Sequence, residues 1–298
     1  MSISRTEELA NRASARAEYS EVETPFGTTP MWRYPATGNK IGSIVFVHGY
    51  RGTHEGVEPI VGGLEEFDCY VPELPGFGEA TPLSSVHNLD NYTAWLTALT
   101  QTLNLSGDVT YFGHSFGTLL LGKHVLATGD KTRLVMLNPV SAWPMRGPRQ
   151  FMAYVSLVWY RLAARIPEKS GRWMLGHPLV IWLVTEFLYK GNDPVLKAWI
   201  HNQHKLHFSK FANTKMAEEA FDASISENLS EMAENIHQPV LLLCGDKDDI
   251  TKIEAQRSAA ALYAEATYVE MIGTGHLPHY ERVDVVAQHT IDFIKLHQ

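Results

Sequence analysis

Residues 108–127 read DVTYFGHSFGTLLLGKHVLA: an apolar run, a Gly-His-Ser-Phe-Gly turn and a second apolar run. This pattern predicts a buried strand that passes through a tight turn directly into a helix. Ser115 lies between Gly113 and Gly117, which have no Cβ to obstruct the neighbouring backbone. A strand–turn–helix unit is the context in which G-x-S-x-G presents a nucleophilic serine. Ser115 is therefore the candidate nucleophile, and the amide of Phe116 is a candidate oxyanion donor.

Strand and helix patterns alternate on both sides of this unit. Apolar runs predict buried strands at 42–49, 68–74, 134–137, 240–244 and 266–271. Helical periodicity is found at 55–66, 88–105, 253–263 and 283–296. Continuous apolar strands separated by helices predict a mostly parallel sheet that is covered on both faces. Residues 17–35 are predicted to form a hairpin at its start, with the turn at Phe26-Gly27.

The segment 141–236 interrupts the alternation and predicts a separate helical unit. It contains aromatic helical patterns and few strand signals. Residues 141–215 contain 11 Lys and Arg against 3 Asp and Glu, although the whole chain has a net charge of −8. We therefore predict a core domain formed by residues 1–140 and 237–298, with residues 141–236 inserted after the sixth strand as a helical cap.

Five short motifs follow one another in a characteristic order. They are His48-Gly49-Tyr50, Pro75-Gly76-Phe77-Gly78, Gly113-His114-Ser115-Phe116-Gly117, Gly245-Asp246-Lys247-Asp248 and Gly275-His276. In this order, over about residues 40–140 and 237–298, the chain resembles the cap-bearing serine hydrolases of the α/β-hydrolase superfamily. The resemblance implies an α/β fold with a mostly parallel, eight-stranded type of sheet flanked by helices, and an activity of the esterase or lipase kind.

The resemblance also implies a catalytic triad, which in this fold follows the chain order Ser, acid, His. His276 lies in a glycine-rich loop after the last predicted strand and resembles the family's catalytic histidine, while His279 is the alternative base. The family pattern places the acid at Asp248, three residues after the glycine of GDKDD. Position in that loop alone also permits Asp246 or Asp249.

The remaining positions near the motifs receive supporting roles. The resemblance places the second oxyanion donor at the amide of Tyr50. His48 is expected to brace the loop that contains Tyr50. His114 is expected to pack or to form a hydrogen bond, because adjacent side chains diverge at a sharp turn.

The expected reaction is hydrolysis of a carboxylic ester with a small or acyl-chain substrate, through an acyl-enzyme and without a metal or organic cofactor. A thioesterase or a carbon–carbon bond hydrolase would use the same triad, and these alternatives stay open. A non-catalytic ligand-binding module of the same fold is a further alternative. Epoxide hydrolases and haloalkane dehalogenases carry Asp at the position of Ser115, which disfavours both.

The predicted cap is expected to select the substrate. Trp143, Tyr154, Trp159 and Trp182 are candidates for lining an apolar pocket. The arginines and lysines of the cap, Arg146 and Arg149 among them, permit attraction of an anionic substrate or peripheral contact with a lipid surface through the basic aromatic cap. The three histidines of the H-x2-H-x2-H pattern, His201, His204 and His207, are expected to be incidental surface residues and not a metal site.

Composition excludes several classes of protein. A net charge of −8 argues against a nucleic-acid partner, because phosphate binding needs a basic footprint. We predict neither a secretory signal at the N-terminus nor a transmembrane segment, since the apolar runs are too short. Cys69 and Cys244 lie in predicted buried strands and are expected to be reduced thiols, so we expect a cytoplasmic protein. Nothing in the sequence predicts the oligomeric state.

Overall fold

The computed structural model describes residues 4–143 and 150–298. Its strands are β1 Glu18–Thr24, β2 Gly27–Tyr34, β3 Gly42–Val47, β4 Phe67–Pro72, β5 Val109–His114, β6 Arg133–Leu137, β7 Val240–Gly245 and β8 Ala266–Met271. They form one sheet in the order β1-β2-β4-β3-β5-β6-β7-β8. β2 pairs antiparallel with β1 and β4, and all other neighbours are parallel. The predicted mostly parallel, eight-stranded sheet and its starting hairpin are thus confirmed.

Helices cover the sheet on both sides. They are α1 Arg5–Ser14, α2 His54–Gly62, α3 Leu89–Leu103, α4 Phe116–Thr128, α5 Gln150–Arg165, α6 Glu168–Leu175, α7 Pro178–Leu188, α8 Pro194–His207, α9 Thr214–Ser224, α10 Ile253–Ala260, α11 Pro278–Glu281 and α12 Val283–Leu296. In β3, Ile44 and Phe46 pack into one core cluster and Val45 packs into the other. Because alternate side chains of a strand point to opposite faces, both faces of β3 must be apolar. This explains its uninterrupted apolar sequence.

Helices α5–α9 (residues 150–224), here called the helical insert, lie between β6 and β7 in the chain. α5 packs against α6 and α9, and α7 packs against α8. Short 3₁₀ turns at Leu229–Glu231 and Ala233–Asn235 lead back to β7. The boundaries 141 and 236 of a cap domain stay a prediction. None of the helices among the described residues combines the length and the apolar character needed to cross a bilayer.

The direction of the strands decides where polar loops meet. β3, β5, β6, β7 and β8 are parallel neighbours, so their carboxyl ends lie at the same edge of the sheet. In open α/β sheets this edge is where ligands bind. The loops after β3, β5, β7 and β8 contain the predicted site residues, and the chain leaves β6 at this edge to enter the helical insert.

Candidate active site

Ser115 occupies a strained turn between β5 and α4. Its backbone has φ 51° and ψ −117°, a conformation that costs a non-glycine residue about 1–3 kcal/mol. Its N–H donates to the carbonyl of Leu137 over 3.0 Å. A Cβ on Gly117 would lie 2.0 Å from the carbonyl oxygen of Val47, so only glycine fits there. The strand–turn–helix unit predicted from the sequence therefore holds the Ser115 hydroxyl at the sheet edge.

A chain of hydrogen bonds joins three residues from distant parts of the sequence. His276 Nε2 lies 3.0 Å from Ser115 Oγ, and His276 Nδ1 lies 2.8 Å from Asp248 Oδ2. An ionised carboxylate only accepts hydrogen bonds, so Nδ1–H must donate to Asp248. In a neutral imidazole this leaves Nε2 as the acceptor for the serine O–H. Asp248 is buried, and its Oδ1 accepts the amide N–H of Ile250 at 2.7 Å.

The alternative acids and base have other partners. Asp246 Oδ1 accepts backbone N–H groups of Gly273 at 2.6 Å and Thr274 at 3.1 Å, as a turn-capping aspartate does. Asp249 pairs with a lysine ammonium 2.9 Å away. His279 is buried in α11, with its ring centroid 4.4 Å from that of His114. Asp248 and His276 are the pair that the structure brings to Ser115.

The loop after β3 runs beside the nucleophile. A Cβ on Gly49 would lie 3.3 Å from Ser115 Cβ. Phe116 is the first residue of α4, so its amide has no acceptor inside the helix. The amide N–H of Tyr50 likewise donates a hydrogen bond to no acceptor among the described residues. Both amide N–H groups are therefore without a hydrogen-bond acceptor among the described residues.

His48 braces this loop, as the sequence suggested. Its Nε2 accepts the amide N–H of Leu74 over 3.0 Å. Burial lowers the pKa of His48, which keeps the imidazole neutral and able to accept. The loops after β3 and β4 are thereby joined behind the site.

The helical insert binds both loops that flank Ser115. The Tyr50 hydroxyl donates to the carbonyl of Ala217 over 2.7 Å. The N–H of His276 donates to the carbonyl of Leu188 at the end of α7 over 3.0 Å. The insert is thus attached to the histidine loop and to the loop that contains Tyr50.

Arg51 is a supporting residue that the sequence analysis missed. It is buried, and it donates to the carbonyls of Phe208 over 2.7 Å and Leu175 over 3.3 Å and to the hydroxyl of Tyr160 over 3.1 Å. Its guanidinium carbon lies 4.0 Å from the Phe208 ring centroid. In the sequence, Arg51 is a single arginine in an otherwise uncharged loop, and this pattern does not reveal its hydrogen-bond partners in the helical insert.

Asn138 is a second missed residue. It is fully buried directly after β6, with φ 44°. Its side-chain amide donates to the carbonyl of Gly275 over 2.9 Å and accepts the N–H of Gly245 over 2.8 Å. Asn-Pro after a strand indicated only a turn, yet the side chain connects the loops of Asp248 and His276.

A cavity of about 100 Å³ lies beside Ser115. Its lining comes from the loop after β3 and the start of α2, from the turn that contains Ser115, from the insert at the end of α7 and at α8, and from the segment that begins at His276. His204 and His207 of α8 and Phe208, which follows α8, are among the lining residues. This volume restricts what fits next to the nucleophile.

The four aromatic candidates lie elsewhere in the structure. Tyr154, Trp159 and Trp182 are exposed, and Trp143 Nε1 donates to Glu231 over 2.8 Å. None of the four lines the cavity. Their part in binding substrate stays a prediction.

The histidines of α8 differ from the expectation of incidental surface residues. His204 is buried and forms a 2.8 Å hydrogen bond with Thr185. His201 lies 2.9 Å from Glu186 and His207 lies 3.1 Å from Glu55. The cause of the difference is that α8 packs against α7 and the sheet domain, so its histidines acquire separate internal partners.

One cluster among the described residues is close enough to share a metal ion. It consists of His54, Glu55 and Glu73. His54 Nδ1 lies 2.8 Å from Glu73, and the ammonium of Lys210 lies 2.8 Å from Glu55. Because these partners already balance the carboxylates, we assign no metal to the cluster.

Comparison with known proteins adds independent information. Residues 44–289 match the model of the alpha/beta hydrolase family. The chain is 24% identical to Lipase 1 of Psychrobacter immobilis over 85% of this chain and 77% of that protein, and 20% identical to Lipase 3 of Moraxella sp. (strain TA144) over 95% and 87%. The solved esterase of Exiguobacterium antarcticum superposes with a TM-score of 0.76 at 16% identity, covering 93% of this chain and 100% of that one. At this identity the structural likeness shows the fold alone.

Proposed function

Because the chain belongs to the alpha/beta hydrolase family, we propose that it is a serine hydrolase that cleaves carboxylic esters through an acyl-enzyme on Ser115. The observation that carries the proposal is the continuous hydrogen-bond chain from Asp248 through His276 to Ser115, with contacts of 2.8 and 3.0 Å. A nucleophile, a base and an acid that orients the base are the parts that acyl transfer requires. The lipases and the esterase among its relatives support the choice of an ester.

In the proposed reaction, His276 Nε2 takes the hydroxyl proton while Ser115 Oγ attacks the ester carbonyl carbon. Asp248 holds the imidazole in the required tautomer and stabilises the imidazolium that forms. His276 then protonates the departing alcohol. A water molecule, deprotonated by His276, attacks the acyl-enzyme and releases the carboxylic acid.

Charge develops on the carbonyl oxygen during both attacks. The amides of Tyr50 and Phe116 are proposed to donate to it. Phe116 also places the oxygen near the N-terminus of α4, whose dipole favours negative charge. One such donor is worth about 3–4 kcal/mol of transition-state stabilisation.

The cavity volume supports a short acyl group. A site for a drug-sized ligand usually has a volume of about 300–1,000 Å³, several times the roughly 100 Å³ beside Ser115. We therefore propose short-chain esters as the preferred substrates. Residues 141–236 are proposed to act as a cap that limits the site, since α8 and the end of α7 line this cavity.

The two cysteines support a reducing compartment. Cys69 and Cys244 are unbridged and buried, and burial raises the pKa of Cys69 to about 12. Disulfides are rare in the cytosol. We propose a cytoplasmic location on this basis.

The proposal is tested with a fluorophosphonate probe and a series of p-nitrophenyl esters from acetate to dodecanoate. Wild-type protein should be labelled by the fluorophosphonate probe. In the ester series, its kcat/KM should be highest for the esters with short acyl chains. Ser115→Ala should not be labelled and should lose at least about a thousandfold of the activity. Ser106→Ala, at an exposed serine, is the matched control and should behave as wild type. Labelling or hydrolysis that survives in Ser115→Ala would refute the mechanism.

The identity of the acid is tested separately. Asp248→Asn should lower kcat about ten-thousandfold, because the amide favours the wrong histidine tautomer. Asp249→Asn, next in the chain, should retain most of the activity. The same ester assay measures both, and equal losses in the two variants would exclude Asp248 as the specific partner of His276.

A further inference from the structure

The helical insert contains most of the exposed large apolar side chains among the described residues. Of the 21 large apolar side chains exposed among the described residues, 13 lie in residues 150–224. They are therefore concentrated in one part of the molecule. Large clustered apolar patches on a protein surface mark interaction sites, whereas scattered single residues do not.

The outward face of α5 is apolar along its length. Phe151, Val155, Val158 and Leu162 are exposed, with Phe151 69% exposed. Their spacing of four, three and four residues puts them on one side of a helix. The opposite side of α5, with Tyr160, is buried in the core cluster. α5 thus has a second apolar face that stays exposed among the residues that the structure describes.

α7 repeats the same arrangement. Leu179, Trp182 and Leu183 are 57%, 49% and 53% exposed, and they share a face by the same spacing. Ile181 and Thr185 point inward. The far end of α7, at Leu188, borders the cavity beside Ser115.

Positive charge accompanies these faces. The helical insert, residues 150–224, contains 9 Lys and Arg against 6 Asp and Glu, whereas the remainder of the chain contains 16 against 27. Near the end of α5, Arg165 and Lys169 form no ion pair with any residue in the described ranges. Arg146 and Arg149 lie outside the described residues. An anionic surface would therefore attract the insert and repel the rest of the molecule.

We propose that the outward faces of α5 and α7 bind peripherally to an anionic lipid bilayer. Exposed Trp, Phe and Leu suit the interface between headgroups and acyl chains, and lysine and arginine beside them suit anionic headgroups. A second copy of the chain is a less suitable partner for these two faces, because a two-fold interface would bring two copies of the same positive surface together. The binding is independent of the proposed hydrolysis and is measured in the Ser115→Ala background.

The experiment is flotation of the full chain with vesicles. One set contains phosphatidylcholine alone and the other contains about one third phosphatidylglycerol. The protein should float with the anionic vesicles, and added salt should weaken the binding. Tryptophan fluorescence should shift to shorter wavelength on the same vesicles. Absence of both signals on anionic vesicles would overturn the proposal.

Paired variants locate the surface. Val158→Ser with Leu162→Ser in α5, and Trp182→Ser with Leu183→Ser in α7, should each weaken binding at least about tenfold. Leu296→Ser, at a 76% exposed leucine of α12, should bind as the parent does. Circular dichroism verifies that each variant is folded.

Charge reversal gives a second test that leaves the apolar faces intact. Arg165→Glu with Lys169→Glu should weaken binding to anionic vesicles, and the binding that remains should be less sensitive to salt. If a protein with the α5, α7 and charge substitutions combined still binds anionic vesicles, the outward faces of α5 and α7 are not the lipid-binding surface. A concentration-dependent dimer, detected by analytical ultracentrifugation and abolished by the α5 and α7 variants, would assign these faces to a second copy instead.

Discussion

At the scale of single residues, Asn138 shows how one buried side chain can support a site made of distant segments. Its amide both donates to Gly275 and accepts from Gly245, and these glycines adjoin the loops of His276 and Asp248. Asparagine tolerates the positive φ of this position better than most residues. Aspartate would lose the donor and alanine would lose both contacts. The side chain therefore fixes the separation of the proposed acid and base.

Asn138→Ala should destabilise the fold by about 2–3 kcal/mol, because a buried carbonyl and a buried amide lose their partner. Its kcat for ester hydrolysis should fall about tenfold with little change in KM, since the histidine loop is displaced relative to Ser115. Urea unfolding and steady-state kinetics measure the two effects. Asn104→Ala is the matched control, because Asn104 has a similar φ of 40° but is exposed. Equal activity in the two variants would exclude the bridging role.

At the scale of elements, the loop after β3 is fixed from two sides. His48 attaches it to the sheet domain through Leu74. Arg51 attaches it to the helical insert at α6 and at the end of α8. A buried guanidinium is stable only when its N–H groups are bonded, and here aromatic rings 4.0 and 5.2 Å from its carbon complete the surroundings. The insert therefore helps to position the amide of Tyr50.

Arg51→Met retains most of the side-chain volume but removes every hydrogen bond and the charge. We expect a loss of about 3 kcal/mol in stability and a fall in kcat of up to about a hundredfold, because the proposed oxyanion donor, the amide of Tyr50, is displaced. Compared with Arg51→Met, Arg51→Lys should recover only part of the lost stability and only part of the lost kcat, since an ammonium cannot reproduce the planar set of donors. Arg165→Met, at an exposed arginine, is the control in the soluble-ester assay. Unchanged kcat in Arg51→Met would mean that the insert does not position the loop.

At the scale of the whole molecule, buried histidines couple stability to pH. Burial, helped by neighbouring His276, lowers the pKa of His114 to about 3. Burial likewise lowers the pKa of His204 to about 3 and that of His279 well below its usual range. In the unfolded chain each histidine titrates near 6.5. Below that pH the unfolded state binds protons that the folded state does not, so stability falls as pH falls from about 6.5 towards about 3.

Two buried carboxyl groups act in the opposite direction. Burial raises the pKa of Glu58 to about 7 and also raises the pKa of Glu281. Their protons are bound more tightly in the folded state, so they favour folding as pH falls. Five histidines outnumber them, because burial also lowers the pKa of His48 and of His87. Each titrating group contributes up to about 1.4 kcal/mol per pH unit. The net expectation is acid destabilisation.

The free energy of unfolding should therefore decrease between about pH 7 and about pH 4.5, as measured by urea denaturation. His204→Asn should reduce this pH dependence by up to about 1.4 kcal/mol per unit, because one buried titrating group is removed. His237→Asn, at an exposed histidine, should leave it unchanged. If the free energy of unfolding had the same pH dependence in the wild type, His204→Asn and His237→Asn, His204 would become charged in the folded state as it does in the unfolded chain.

The sequence by itself determined the elements and the turn that holds Ser115. Strand and helix periods, and the need for glycine at 113 and 117, act within a few residues of one another, so they can be recognised without knowing what lies across the molecule. The mostly parallel sheet and its hairpin were predicted for this reason, whereas the eight-stranded type of sheet was implied by the family resemblance. The family pattern of short motifs added Asp248, His276 and Tyr50 as expectations.

Only the tertiary structure decided which groups meet. Ser115 and His276 are 161 residues apart, and their contact depends on the order of strands in the sheet, which local periodicity does not encode. The same holds for the bridges made by Asn138 and Arg51. Aromatic composition suggested Trp143, Tyr154, Trp159 and Trp182 as pocket residues, and none of the four lines the cavity beside Ser115, to which α8 contributes. Composition is a property of a segment, but which face of a helix packs inward is set by the neighbours that the fold supplies.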